Sequence, residues 1–148
     1  MSQPSRSISW LWVVIGTCII VALNKIITEG FLASAIAAAL EAGDMGTFWL
    51  YAGLGAVASY GLGGVFVGIV SPGTTIKEPA VGAVLAVLLN NVTFYWNHPE
   101  ALDAAGMVTV AIYAAVSAAL GFGGAFIGER IQGDNTDKMR ERGELPPL

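Results

Sequence analysis

Four apolar runs restrict what this chain can fold into more than any other feature of its sequence. They cover residues 10–28, 47–70, 79–96 and 107–128, and Lys25 is the one charged residue within them. Each run is close to the roughly twenty residues that a helix needs to cross a hydrocarbon layer about 30 Å thick. Only 12% of the chain is charged, about half the share that is usual in a soluble domain. The sequence therefore predicts an all-α integral membrane bundle of four transmembrane helices.

A fifth apolar run, residues 31–41, is too short to cross the membrane. We expect a short apolar helix there, which either lies in the outer interface or extends the first span as one long helix. The first run also has the order of a signal peptide, because Arg6 precedes its apolar core. However, Asn24 and Lys25 follow that core, where a cleavage site would need small residues. We therefore expect the first span to be retained.

The distribution of basic residues predicts the orientation. With four spans, both termini and the loop 71–78 lie on one side of the membrane, and that side carries Arg6, Lys77, Arg130, Lys138, Arg140 and Arg142. Since Lys and Arg in short loops resist export, we expect both termini to be cytoplasmic. Residues 1–128 then form the transmembrane domain, and residues 129–148 form a charged cytoplasmic tail that is exposed and mobile.

Two glycine-rich stretches share one pattern at an offset of sixty residues: GLGGVFVG at 61–68 and GFGGAFIG at 121–128. The glycines that share one stripe of a helix are Gly61, Gly64 and Gly68 in the first copy, and Gly121, Gly124 and Gly128 in the second. Small residues on one stripe let two transmembrane helices approach closely and gain dispersion contacts. We therefore interpret both stripes as helix-packing faces, which meet either each other or the helices of a partner.

The same stretches also bear on nucleotide binding and on an internal repeat. A dinucleotide-binding loop would need a third glycine at Phe66, and no Gly-Lys-Ser or Gly-Lys-Thr follows either copy, so the pattern argues against nucleotide binding. The matching spacing also suggests two parallel helical-hairpin repeats, related by an axis along the membrane normal. Convergence on a useful packing stripe explains the same spacing without a repeat, and the sequence leaves that choice open.

Lys25 and Glu29 are the charged residues nearest to a span, and charges inside a span usually mark a transport or proton pathway. With Trp10 at the inner interface, Lys25 lies about 22 Å further along the helix, close to the outer surface. There its side chain can snorkel outward and pair with Glu29 one turn on. This depth favours a structural anchor over a functional pair, and a first span centred on Lys25 would reverse the preference.

Asn90 and Asn91 lie inside the third span, below its aromatic end at Tyr95 and Trp96. Amides at such positions hydrogen bond between helices, typically for well under about 2 kcal/mol. We therefore favour a role in holding helices together over a polar lining for a transport path.

Several classes of function find no support in the sequence. A net charge of -4 without a basic stripe argues against nucleic acid as a partner. His98 has no second ligand at metal-binding spacing, and Cys18 stands alone in an apolar run. No serine or cysteine has a recognisable base partner. We expect no enzyme activity, no cofactor and no metal site.

The loop SPGTTIKEPA, residues 71–80, has the residues of a helix end and a helix start. Ser71, Pro72 and Gly73 suit a turn, and Glu78 and Pro79 suit the first turn of the next helix. Together with GLGGVFVG, this passage of about thirty residues resembles uncharacterised small bacterial four-helix membrane proteins, which have a glycine-rich helix, a Ser-Pro-Gly turn and a Glu-Pro-Ala helix start. The resemblance implies the four-helix fold and a bacterial plasma (inner) membrane location, without an activity.

These observations give three hypotheses for function. The first is a non-enzymatic accessory or scaffold subunit, which works in the lipid bilayer as a homo-oligomer or as part of a larger membrane complex. The second is a small transporter or channel with a polar path lined by Lys25, Glu29, Asn90 and Asn91. The third is a holin-like permeabilising protein, which the small size allows.

Overall fold

A computed structural model of the chain describes residues 8–71, 77–97, 99 and 103–141. The helices are α1 (Trp10–Asn24), α2 (Ala33–Glu41), α3 (Met45–Ala56), α4 (Leu62–Val70), α5 (Lys77–Asn97) and α6 (Ala104–Glu141), with π-helical segments at Lys25–Leu32 and Val57–Gly61. Within these described ranges there is no strand, so the predicted all-α fold is confirmed. Three helices are long and apolar enough to cross a membrane: Trp10–Glu41, Met45–Val70 and Gly106–Gly133.

The first long helix, Trp10–Glu41, decides between the two alternatives for residues 31–41. α1 continues through the first π segment into α2 without a break, so the fifth apolar run extends the first span instead of forming a separate helix. At helical rise its 32 residues measure up to about 48 Å, more than a hydrocarbon layer of about 30 Å. One end of this helix therefore projects beyond the layer.

The second long helix, Met45–Val70, follows a tight turn. Gly43 has a φ of 66°, a left-handed conformation that glycine adopts without steric cost. Asp44 then caps α3, because its carboxylate accepts hydrogen bonds from the Thr47 backbone N–H at 3.1 Å and from the Thr47 hydroxyl at 2.6 Å. The turn brings α3 back antiparallel to α2, and the second π segment joins α3 to α4 as one continuous helix.

α5 and α6 form a second pair. α5 begins at Lys77 with Glu78 and Pro79 in its first turn, as the loop sequence predicts. The remaining part of the predicted Ser-Pro-Gly turn, residues 72–73, lies outside the described residues. α6 does not end at residue 128 but continues to Glu141, so much of the expected tail is helical. The helix continues because residues 129–141 contain no proline and Gly133 is their one glycine.

The helices pack around a small apolar core of Ile20, Ala56, Tyr60, Ala83, Ala86 and Val87. α5 packs against both α1 and α6, and the most extensive contact in the fold joins α4 to α6. α1 and α5 run in the same direction, since Ser9 lies against Glu78 at one end of the pair and Asn24 against Asn90 further along. Large apolar side chains point outward on every long helix, as expected where lipid is the solvent.

Candidate functional site

The glycine stripes of α4 and α6 lie against each other. A Cβ added at Gly64 would collide with the carbonyl oxygen of Gly121 and would lie 3.0 Å from the Ala125 backbone nitrogen. A Cβ at Gly68 would collide in the same way with the carbonyl oxygen of Ala125. The obstacle in both cases is backbone, which cannot move aside without moving the helix. At these two positions only glycine permits the observed separation of the helices.

The same relation holds in the reverse direction. A Cβ at Gly124 would collide with the carbonyl oxygen of Gly61, and one at Gly128 with the carbonyl oxygen of Val65. The two sets of contacts correspond at an offset of sixty residues. Gly64 meets Gly121 and Ala125, and Gly124 meets the equivalent residues Gly61 and Val65. We call this reciprocal surface, formed by Gly64, Gly68, Gly124 and Gly128, the glycine seam.

The two remaining glycines of the predicted stripes have other surroundings. A Cβ at Gly61 would meet no described atom within 4 Å, so Gly61 contributes its carbonyl group to the seam instead of space for it. A Cβ at Gly121 would lie 2.8 Å from the carbonyl oxygen of Pro79 and 3.1 Å from the Ala83 side chain. Gly121 therefore makes room for α5. Gly61 ends the second π segment, so α-helical spacing does not hold on its N-terminal side.

A chain of polar groups crosses the interior beside the seam. The amide nitrogen of Asn90 donates to the side-chain oxygen of Asn24 at 3.2 Å, and the amide nitrogen of Asn24 lies 3.3 Å from the Ser59 hydroxyl oxygen. The Ser59 hydroxyl, which is fully buried, donates to the carbonyl oxygen of Gly55 at 2.6 Å. This polar chain links α5, α1 and the second long helix at one level of the bundle.

Three further polar groups lie beside this chain. Tyr60 is 1% exposed, its hydroxyl group lies near Ser117 and Asn90, and its ring packs edge-on against Tyr113 at a centroid distance of 6.2 Å. The Ser117 hydroxyl is also buried, and among the described residues it has no partner within hydrogen-bond distance and angle. A buried hydroxyl without a partner costs stability, so Ser117 is a weak point among these buried polar groups.

Both π segments lie next to this polar chain, since Asn24 immediately precedes the first and Ser59 lies within the second. A π turn leaves backbone carbonyl groups without their usual i+4 partner. Two hydroxyl groups bond to carbonyl groups beside these segments, since Ser59 donates to the Gly55 carbonyl and Thr28 donates to the Asn24 carbonyl. Short side chains of this kind can bond to the preceding turn of their own helix.

Asn90 and Asn91 form different hydrogen bonds, although they are adjacent in the sequence. Asn91 donates to the Val87 carbonyl of its own helix at 2.8 Å, so it makes no bond to a neighbouring helix in the described part of the chain. It lines an apolar groove of about 280 Å³ between α5 and α6, together with Leu88, Val92, Tyr95, Met107 and Val110. Of the two predicted amides, Asn90 joins the interior polar chain and Asn91 does not.

Lys25 and Glu29 lie on the outside of the bundle. The Lys25 ammonium and the Glu29 carboxylate form an ion pair at 3.1 Å, and their side chains are 60% and 69% exposed. Asn90 instead bonds to Asn24 within the bundle, so the four residues of the predicted polar path do not line one path within a single chain. The pair has the local i,i+4 geometry that the sequence predicts.

The end of the bundle near Trp10 is held by a buried carboxylate. Glu78 is 6% exposed, and its oxygen accepts a hydrogen bond from the Ser9 backbone N–H at 3.1 Å. The contact ties the first turn of α5 to the start of α1. Nearby, the Gln132 amide donates to the carbonyl oxygen of Ser71 at 3.3 Å, which joins α6 to the end of α4.

Sequence reasoning missed most of the interior polar groups. The sequence analysis uses Asn24 only as an argument against signal cleavage. It predicts no role for Ser59, Tyr60 or Ser117. Asn24 carried a usable signal, since an amide inside an apolar run needs a hydrogen-bond partner. Serine and tyrosine occur on lipid-facing and buried surfaces alike, so only the helix packing identifies their role.

No ligand set for a metal is evident either, since the described residues hold no group of three or more His, Cys, Asp or Glu side chains close enough to bind an ion. Comparison of the chain with protein-family models, with curated proteins and with solved structures finds no match. The resemblance to small bacterial four-helix proteins therefore stays a prediction.

Proposed function

We propose that this chain is a four-span membrane protein that acts as a non-enzymatic accessory or scaffold subunit. The observation that carries the proposal is the reciprocal glycine seam, which uses the closest packing faces of the chain to hold its own helices together. Because the seam joins helices of the same chain, the outward apolar surfaces remain for contact with lipid and with partner helices. Recognition by these outward surfaces is the activity we assign to it.

The proposal includes α5 as the fourth span. Its 21 residues measure about 31 Å at helical rise, which matches a hydrocarbon layer of about 30 Å. Its charged residues, Lys77 and Glu78, lie in the first turn, where they can reach the membrane surface. With four spans, the basic residues favour cytoplasmic termini in a bacterial plasma membrane. The sixty-residue symmetry of the seam supports a repeat of two parallel hairpins.

The small transporter remains the second candidate, and the interior polar chain favours it. Transporters bind substrates near the middle of the membrane, where helices are interrupted and polar groups converge. Asn24, Ser59 and Asn90 meet between two π segments, and the unpaired Ser117 hydroxyl lies close by. Against this candidate, the side chains of the charged pair Lys25 and Glu29 are exposed on the outside of the bundle and do not join these groups.

Two measurements separate the candidates. Extraction with surrounding lipid, followed by native mass spectrometry, should recover the accessory subunit in an assembly larger than one chain. A liposome flux assay should find no specific transport, and Asn90→Leu should behave like the adjacent Asn91→Leu, which removes an amide outside the polar chain. Specific transport that is lost in Asn90→Leu and kept in Asn91→Leu would replace the accessory function by the transporter.

A further inference from the structure

Two helices project beyond the rest of the bundle as a hairpin. They are α2 and α3, and we call them the projecting hairpin. The parallel helices α1 and α5 lie level with each other at Asn24 and Asn90. From that level α5 runs seven residues further, to Asn97, whereas the first long helix runs seventeen residues further, to Glu41. The difference of ten residues means that about 15 Å of the first long helix lies beyond the end of α5.

The projecting hairpin packs mainly on itself. Among the described residues, α2 and α3 make their extensive contacts with each other and with the two π segments, and none with α5 or α6. The helices α1, α4, α5 and α6, which we call the body, are instead joined by the glycine seam, the apolar core and the polar chain. Few of the described contacts therefore fix the angle between the hairpin and the body.

Both connections between the hairpin and the body are π segments, and these lie side by side. Asn24, just before the first segment, contacts Ser59 within the second. Further along, a Cβ added at Gly55 would lie 3.1 Å from the Thr28 methyl group and 3.3 Å from the Leu32 side chain. A π turn interrupts the regular ladder of i+4 hydrogen bonds, and sharp helix bends concentrate at such turns. Two interruptions at one level allow both helices to bend about the same axis.

Each π segment also contains one glycine, Gly30 in the first and Gly61 in the second. A Cβ added at either position would meet no described atom within 4 Å, so neither glycine is needed to make room for a neighbour. What glycine adds at these positions is backbone freedom. We propose that the two π segments form a hinge, about which the projecting hairpin tilts as a unit relative to the body.

Asn24 fixes the position of this hinge. Its side chain bonds to Asn90 of α5 and contacts Ser59 of the second π segment, so it attaches both π segments to the body at one level. A partner that binds the projecting hairpin selects one tilt from the range that the hinge allows. Because the buried polar chain lies at the hinge, that tilt also acts on the interior of the bundle. The inference goes beyond the accessory function, since it needs only this fold in a bilayer.

The experiment measures distances between two spin labels by double electron–electron resonance, with the full chain in lipid nanodiscs. Cys18→Ala removes the one native cysteine. The hinge pair, Ala38→Cys with Ile69→Cys, spans the π segments, and the body pair, Val92→Cys with Ile69→Cys, lies within the body. All three labelled positions are exposed. We expect a broader distance distribution for the hinge pair than for the body pair, and equal widths would overturn the hinge.

Substitution of the two glycines tests the cause of that breadth. Gly30→Ala combined with Gly61→Ala should narrow the distribution of the hinge pair, because alanine favours the α-helix and restricts the backbone. The matched control is Gly123→Ala, where the added Cβ also meets no described atom within 4 Å. The control should leave both distributions unchanged. A hinge-pair distribution that stays equally broad in the double variant would contradict the proposal.

Substitution of Asn24 tests the attachment to the body. Asn24→Leu removes both polar contacts of that side chain, so the distribution of the hinge pair should broaden further. The body pair should keep its distance, which shows that the body still packs. The matched control is Asn91→Leu, which removes an amide outside the polar chain and should change neither pair. An unchanged hinge pair in Asn24→Leu would refute a hinge attached at this level.

The outcomes separate the hinge from the accessory function. A broad hinge pair in a chain that native mass spectrometry finds alone supports the hinge and overturns the accessory function. A chain that joins a larger assembly, but whose hinge pair is as narrow as its body pair when the chain is reconstituted alone, overturns the hinge and leaves the accessory function standing.

Discussion

Substitution of single glycines tests whether the glycine seam holds the bundle together. In Gly64→Ala the new methyl group meets the carbonyl oxygen of Gly121 at a distance that real Cβ atoms essentially never show, and it lies 3.0 Å from the Ala125 backbone nitrogen. α4 and α6 must therefore separate by about 0.5–1 Å, which forfeits about a quarter to a half of each dispersion contact across the seam. Overpacking of a close-packed interior typically costs about 1–3 kcal/mol. We expect the upper part of that range, because backbone cannot rotate away.

The measurement is the free energy of unfolding in mixed micelles, with sodium dodecyl sulfate as denaturant and helical circular dichroism as the signal. Gly64→Ala and Gly124→Ala should each lower it by about 2–3 kcal/mol. The matched control is Gly123→Ala, one residue from Gly124, where an added Cβ meets no described atom within 4 Å. Its free energy of unfolding should stay within about 0.5 kcal/mol of the unmodified chain.

The double variant Gly64→Ala/Gly124→Ala gives a sharper test. Once one methyl group has separated the helices, the second occupies part of the same gap. The combined cost should therefore be clearly less than the sum of the two single costs. If Gly64→Ala and Gly123→Ala proved equally stable, or if the two single costs simply added, the seam would not be a shared close contact.

Three further outcomes follow from the polar groups. Asn90→Leu should lower the free energy of unfolding by about 0.6–1.7 kcal/mol, because it breaks a bond between helices, while Asn91→Leu should leave it nearly unchanged. Ser117→Ala should raise that free energy, by up to about 1 kcal/mol, because it removes a buried hydroxyl that lacks a partner; a loss of stability would mean that Ser117 is bonded after all. Hydrogen bonds from the side chain and backbone of Thr47 hold the pKa of Asp44 below its usual value, so the α3 cap is fully present above about pH 3.9 and is lost as the pH falls through the lowered pKa. Hydrogen exchange at the Thr47 amide should accelerate in that acid range beyond its intrinsic rate, and Asp44→Asn, which also caps helices, should remove the pH dependence.

The sequence predicts the helical fold well because hydropathy and run length report directly on the bilayer. Helix ends are harder, and α6 illustrates the reason. Residues 129–141 change from apolar to charged, which marks the limit of the hydrocarbon layer but does not stop a helix. Residues 31–41 pose the same problem at the other surface. A run too short to span the membrane can still continue a helix that has already crossed it.

The candidate site was predictable only in part, because spacing identifies a face but not its neighbour. Gly64 and Gly124 belong to one seam, yet Gly121, on the same stripe by spacing, makes room for α5 instead. The second π segment adds to this difficulty, since a wide turn next to Gly61 changes the direction in which later residues point.

The distribution of contacts favours the outward surface as the place where this protein acts. In lipid, apolar side chains gain nothing by leaving the solvent, so specific association needs close backbone approach or polar bonds. Within one chain, the glycine seam already uses glycines that allow close backbone approach, and the interior polar chain already uses side chains that form polar bonds. Exposed small residues remain on more than one described helix, among them Cys18 and Ala22 on α1 and Ala111, Ala115 and Ala119 on α6. A second chain that binds this bundle specifically would gain close backbone approach at faces of this kind.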